Sequence, residues 1–282
     1  MAGPDKPKPA KKGSPDFLSV AGLLLAAAGI LGGLVLEGGK LKDVSQFTAA
    51  IIVLGGTAGA VMVSTPGPVL KGALRRLAGV FHDSAPPLAA QVEELIGYAA
   101  KARKTGIVSL EDDTAQIADP FLKKALTLAV DGTDLQEVRS MMELEMSLQE
   151  HQAEAEARVF ESAGGYAPTI GIIGAVLGLI QVMKNLANID EVGHGIAVAF
   201  VATVYGVALA NLFLLPAASK IKARAHAETQ RREMIVEGVS AIVEGLNPKV
   251  LQSKLEAFAH PKSAKPAKDT GKTAAAAQPA EA

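Results

Sequence analysis

The chain has no cysteine and no tryptophan, and aromatic residues make up only 4% of its 282 positions. Without cysteine there is no disulfide, no thiol nucleophile and no thiolate metal site. A formal net charge of -1 gives no basic surplus, which argues against a nucleic-acid binder. The five histidines, His82, His151, His194, His226 and His260, show no ligand spacing. No metal centre, cofactor or catalytic residue is therefore expected, and a metal enzyme or hydrolase has no support. Charge is also missing locally. Four apolar runs, Phe17–Leu36, Phe47–Ser64, about 165–183 and about 193–215, contain no Asp, Glu, Lys or Arg.

Hydrophobic residues make up 49% of the chain, with 28 glycines. A helix needs roughly 20 residues to cross a hydrocarbon core roughly 30 Å thick, and each run is near that length. The reading is an all-α membrane protein with four transmembrane helices. Lys6, Lys8, Lys11 and Lys12 ahead of the first run fit a signal-peptide start. The apolar stretch is too long for one, and a second span follows closely, so a retained span is expected. Lys and Arg collect before the first run, after the second (Lys71, Arg75, Arg76) and after the fourth (Lys220, Lys222, Arg224, Arg231, Arg232). By the positive-inside rule both termini and the segment between spans two and three are cytoplasmic.

The expected organisation follows. Residues 1–16 form a disordered cytoplasmic tail, 17–66 carry transmembrane helices 1 and 2, and 67–162 make a helical cytoplasmic domain. Residues 163–216 carry helices 3 and 4, 217–260 a C-terminal cytoplasmic helix, and 261–282 a low-complexity tail. Within 67–162, Val92, Leu95, Ile96 and Ala99 recur at helical spacing. Asp119-Pro120 opens a helix that Asp131-Gly132 closes. Asp134 with Glu137 opens a long one running without Gly or Pro to about Glu161. That helix carries an acidic face, Glu137, Glu143, Glu145, Glu150, Glu154, Glu156 and Glu161. No strand is expected.

The third run, YAPTIGIIGAVLGLIQVM at 166–183, is thin for a membrane helix. Pro168, Gly171, Ala175, Gly178 and Val182 share one face, and Ala199, Thr203, Gly206 and Ala210 do so on the fourth run. Small faces let helices approach closely in lipid. Two readings stand: ordinary packing within one bundle, or a wall for a helix from another chain. Ion relays place ionisable groups in the membrane, and here the spans hold no Asp, Glu, Lys or Arg; Thr203, Gln181 and Asn211 are the polar side chains of interest near the spans. If ions flow, the titrating acid belongs to a different polypeptide.

APTIGIIGAVLGLI followed by GIAVAFVATVYGVALANLFLLPAASKI resembles the last two membrane helices of the flagellar stator A subunits, the MotA/PomA family within the wider MotA/TolQ/ExbB proton channel family. IIVLGGTAGAVMVSTP is similar to that family's second span, ARKTGIVSLEDD to its torque loop, and DPFLKKALTLAVDGTD to the segment after the loop. The blocks are in the family's order and cover 17 to about 235. The resemblance implies an ion-conducting stator subunit of the bacterial inner membrane, not an enzyme. It would form a homo-oligomer, typically five copies, around two copies of a B-type (MotB-like) subunit, which brings one membrane helix and an essential Asp and anchors to peptidoglycan. It implies conformational roles for Pro168 and Pro216, an ion-path role for Thr203, and packing of the partner helix on Gly171, Gly178, Ala199, Gly206 and Ala210. Arg103 and Glu111, with Lys104, Asp112 and Asp113, would face a rotor switch protein (FliG-like). Sodium-driven members carry Thr where this chain has Ala175, so protons are the expected ion. Two other expectations compete: an energiser of another envelope machine, told apart by its partner's periplasmic domain, and a passive scaffold, which would tolerate changes at Thr203 or Pro168.

Overall fold

The computed structural model describes residues 14–80, 82–83 and 88–259. The expected tails lie outside these residues except for 14–16. The chain is helical, and four helices are long and apolar enough to cross a membrane. α1 (Phe17–Leu36) and α2 (Phe47–Ser64) are the first two spans. α3 (Gly67–Val80), α4 (Leu88–Thr105) and α5 (Pro120–Val130) follow. α6 (Leu135–Lys184) and α7 (Ile189–Val243) carry the third and fourth spans, and α8 (Pro248–Ala259) ends the described chain.

The start signals act as their chemistry requires. Asp119 accepts from the N–H groups of Phe121 (2.8 Å) and Leu122 (3.0 Å), and Pro120 sits where no donor is needed. Gly132 ends α5 at φ 79°, a left-handed position that favours glycine. Asp134 caps α6 through Gln136 N–H. Nothing then breaks α6, so it runs 50 residues, about 75 Å, through the helical body and the membrane. Pro168 lies inside it and neither begins nor ends a helix.

Leu95, Leu110, Leu122, Leu126, Met142, Met234, Ile235, Leu251 and Leu255 are fully buried in a core built from α4, α5, α7, α8 and the first half of α6. Leu251 and Leu255 belong to a helix the sequence reading merged with its predecessor. Gly245 (φ 69°) ends α7, and Asn247-Pro248 starts α8, with the Asn247 side chain accepting from Lys249 N–H. The 217–260 segment is therefore two helices. The acidic face of α6 meets cations along its length. Glu145 pairs with Lys124 (2.5 Å), Glu161 with Lys222 (2.8 Å), and Glu156, only 3% exposed, with Arg76 on α3.

Two further local features depart from expectation. Ser14–Pro15 and His82–Asp83 form a two-residue antiparallel ladder. Asp16, expected in the disordered tail, caps α1 through Ser19 N–H and pairs with Lys220 and Arg224 on α7. The Lys220 ammonium foremost holds the Asp16 carboxyl well below the usual carboxylate range.

Candidate functional site: a glycine seam with one open margin

α6 and α7 run antiparallel, joined by a short turn in which Asn188 accepts from Asp190 N–H (3.2 Å). Their contact is lined by Ala167, Gly171, Gly174 and Gly178 against Gly195, Ala199, Ala202 and Gly206, all buried. A methyl group on Gly171 would lie 2.8 Å from the Ala202 carbonyl oxygen and 3.3 Å from Thr203 Cα. One on Gly178 would lie 2.8 Å from the Gly195 carbonyl oxygen, and one on Gly206 3.1 Å from Pro168 Cα. Backbone rests on backbone, which only these small residues permit.

Gly171, Gly178, Ala199 and Gly206, expected to pack a partner helix, are buried in the contact between two spans of the same chain. Ala210, 1% exposed, is likewise buried, among Ala157, Phe160, Ala163 and Leu214. The physical reason is proximity: the hairpin partner is the first backbone that the stripe can meet.

One side of the seam is sealed by α2. Ile52 reaches the space beside Gly174, Ile170 lies against Gly56, and Val201 and Ala202 are buried with Ala49 and Val53. Tyr205 donates its hydroxyl proton to the Val44 carbonyl (2.6 Å) and accepts from Gln46 N–H (3.3 Å). The opposite side is open. Ala175 follows Gly171 by one helical turn, and Thr203 follows Ala199 by one turn. Because the helices are antiparallel, both steps rotate toward the same side, away from α2. Pro168, seven residues before Ala175, joins them. All three are half-buried. Thr203 donates its hydroxyl proton to the Ala199 carbonyl (3.2 Å), which leaves the oxygen's lone pairs free to accept. Exposed Ile172, Val176, Leu179, Phe200 and Val207 flank the margin. The structure thus gathers Pro168, Ala175 and Thr203 at one place.

Pro216 lies elsewhere. It follows a π-helical stretch, Leu209–Leu214, and lines a cavity of about 320 Å³ between α1 and α7 with Gly22, Ala26, Leu212 and Phe213. Proline has no N–H for the Leu212 carbonyl, and the wider turn carries the chain past it.

The loop between α4 and α5 turns at Gly106 (φ 85°) and is pinned by Leu110, which is fully buried. Thr105 bonds Ser109 (2.7 Å), which bonds the Gly106 carbonyl (2.6 Å). Arg103 and Lys104 stand on one limb and Glu111 and Asp112 on the other, all exposed, and none has an ion-pair partner among the described residues. Asp113 differs from these four in having a partner, Lys101, at 2.6 Å.

The sequence reading used Arg231 and Arg232 only to orient the chain. Arg231 is 8% exposed and pairs with Asp119 and Glu228. Burial works against the Asp119 carboxylate, but Leu122 N–H and the Arg231 guanidinium hold its pKa below the usual value. Burial opposes Glu228 too, and Arg231 and Arg232 overcome it. The local signal was Glu228 one turn before two neighbouring arginines; Asp119 lies 112 residues away and only the fold brings it there.

Residues 113–234 match the MotA/TolQ/ExbB proton channel family, and residues 20–105 match the motility protein A N-terminal family. The chain is 35% identical over 244 residues to motility protein A of Bacillus subtilis, covering 85% of this chain and 89% of that one. It is similar in structure to the C. jejuni MotAB structure, with TM-score 0.83 and 34% identity over 86% of this chain and 95% of that one. The flagellar MotAB stator complex of Bacillus subtilis is similar too, with TM-score 0.80 and 34% identity over 85% of this chain and 94% of that one.

Proposed function

The chain belongs to the MotA/TolQ/ExbB proton channel family, as a stator ion-channel subunit of the flagellar motor, and from that premise we propose how its open seam works. It is a multi-pass inner-membrane protein, and its family is a proton channel stator family and not an enzyme class. It works with a MotB-type partner, as the similar MotAB structures do.

In this reading the partner's membrane helix brings an acidic side chain to the margin formed by Pro168, Ala175 and Thr203. The observation that carries it is the asymmetry of the seam: α2 closes one side, and the other presents Thr203 with acceptor capacity among apolar side chains. The seam holds no carboxylate, Lys or Arg of its own, so the titrating group comes from outside the chain. Protons are the ion, since Ala175 offers no oxygen to replace sodium's water. Each proton crossing 100 mV of membrane potential releases about 2.3 kcal/mol. Neutralising and recharging the acid changes how it fits the margin, and several copies, five by analogy with the family, step around it. Both termini and the helical body lie in the cytoplasm, where Arg103, Lys104, Glu111 and Asp112 meet the rotor. Their exposure suits recognition by charge, which favours on-rate and specificity.

The test uses vesicles containing the chain with its partner. Ala175→Trp, which fills the margin, abolishes voltage-driven proton uptake while the complex still assembles, and uptake does not depend on sodium. Uptake that persists in Ala175→Trp, or that tracks sodium, overturns the reading.

A further inference from the structure

Arg231 stands about 42 Å along α7 from Thr203, on the same continuous helix and beyond its π-helical stretch and Pro216. Its guanidinium reaches both limbs of the rotor-facing loop. One nitrogen donates to Gln91 Oε1 (3.1 Å) on α4, the limb that ends in Arg103 and Lys104, and to Asp119, the cap that begins α5 on the other limb. Its remaining donors bond Glu228 at 2.7 and 2.9 Å on its own helix. Arg232 supports the same grip: its guanidinium carbon lies 4.9 Å from the centre of the Phe121 ring in the first turn of α5. It also bonds Glu228 (2.8 Å) and Gln149 on α6. The surrounding core, Leu95, Met234, Ile235 and Val239, also joins α7 to α4. Apolar packing holds these helices by shape alone, as where Leu95 sits against Gly238. A buried guanidinium fork adds directional bonds, because its donors point in set directions.

We propose that Arg231 is the positioning residue that carries movement of the fourth span to the rotor-facing charges, by clamping Gln91 and Asp119 to α7. The clamp holds both ends of the loop to the stretch of α7 beyond Pro216, so whatever movement of the fourth span reaches that stretch moves Arg103 and Glu111 together. Without it, the same movement is lost between helices held by apolar packing alone. The inference rests on the stator reading above, and its test separates the two.

The test compares stall torque with ion flow, in the full chain with its partner. Arg231→Met lowers torque at least about fivefold while proton flow stays within about twofold. Arg231→Lys keeps the charge but cannot span three partners, and falls between. Asp119→Asn retains the cap, loses the charge and lowers torque, and the double variant falls no further than Arg231→Met. Arg139→Met, which removes the half-exposed pair with Glu237 (2.9 Å), leaves both readouts unchanged. Should Arg231→Met not assemble, Arg231→Lys and Asp119→Asn decide. Torque and ion flow falling in parallel, or unchanged torque, overturns the proposal. A second readout needs no motor. Spin labels on Lys104→Cys and Lys222→Cys, in a chain with no other cysteine, give a distance distribution that widens in Arg231→Met. An unchanged width overturns the clamp even if the chain proves to conduct nothing, a result that would instead sink the stator reading.

Discussion

The two ends of α6 and α7 are held together by opposite means. In the membrane half, glycine and alanine bring backbones into contact, and the seam has no carboxylate, Lys or Arg and so no ion pair. In the helical body, large buried side chains fill the gaps, and Arg231, Asp119, Glu228, Lys254 and Glu237 stitch the helices. Lipid is as apolar as leucine, so membrane helices gain from close fit and little from hydrophobicity. A smooth backbone seam sets few directional bonds against a change of fit. The body, with its core and charged fork, resists such change. The molecule therefore pairs an adaptable end with a stiff one, as coupling ion binding to force requires.

At the seam the whole assembly is at stake. Gly178→Val places a methyl 2.8 Å from the Gly195 carbonyl and 2.9 Å from the Ala199 amide, where no side chain can move aside. Crowding of this kind costs about 1–3 kcal/mol or more, and recovery of the assembled complex from membranes falls at least about fivefold. Leu122→Ala strikes the stiff end. Leu122 is fully buried, and its loss costs about 2–5 kcal/mol of the body's stability, read as a lower melting temperature, with the spans still inserted. Acid has the smallest effect and sharpens the contrast. Asp119, Glu228 and Glu237 have pKa values below 3.8, 4.5 and 4.5, their ordinary values. A depressed carboxylate pKa adds stability that is present above the unfolded value and lost as pH falls through the folded one. The body's melting temperature is thus flat from about pH 8 to about pH 6 and declines below about pH 4. The helix signal of the spans, which contain no carboxylate, does not follow it.

What the sequence reveals depends on how far the cause lies along the chain. The spans are legible because hydropathy is summed over consecutive residues. The caps at Asp119 and Asp134 and the stop at Gly132 are legible because each acts within one turn. The start of α8 was equally local: Gly245 and Asn247-Pro248 carry it. What a small-residue stripe faces is not local. The glycines are evident in the sequence, but whether they meet another chain or the neighbouring span is settled only by tertiary packing. The same holds for Asp113, whose partner Lys101 lies across the loop turn, and for Glu156, which reads as one more surface acid until Arg76 covers it. Pro168, Ala175 and Thr203 were picked by resemblance; their common side emerges from antiparallel geometry.

On the function proposed above, the open margin of the seam, and not its sealed side, receives the partner's acidic helix. Since the chain has no cysteine, single substitutions can be cross-linked in the membrane to one cysteine placed beside the partner's acid. Ala175→Cys and Thr203→Cys form the cross-link, whereas Ile170→Cys and Val201→Cys, which sit beneath α2, do not. Cross-linking through Ile170→Cys or Val201→Cys, with Ala175→Cys and Thr203→Cys silent, contradicts the account.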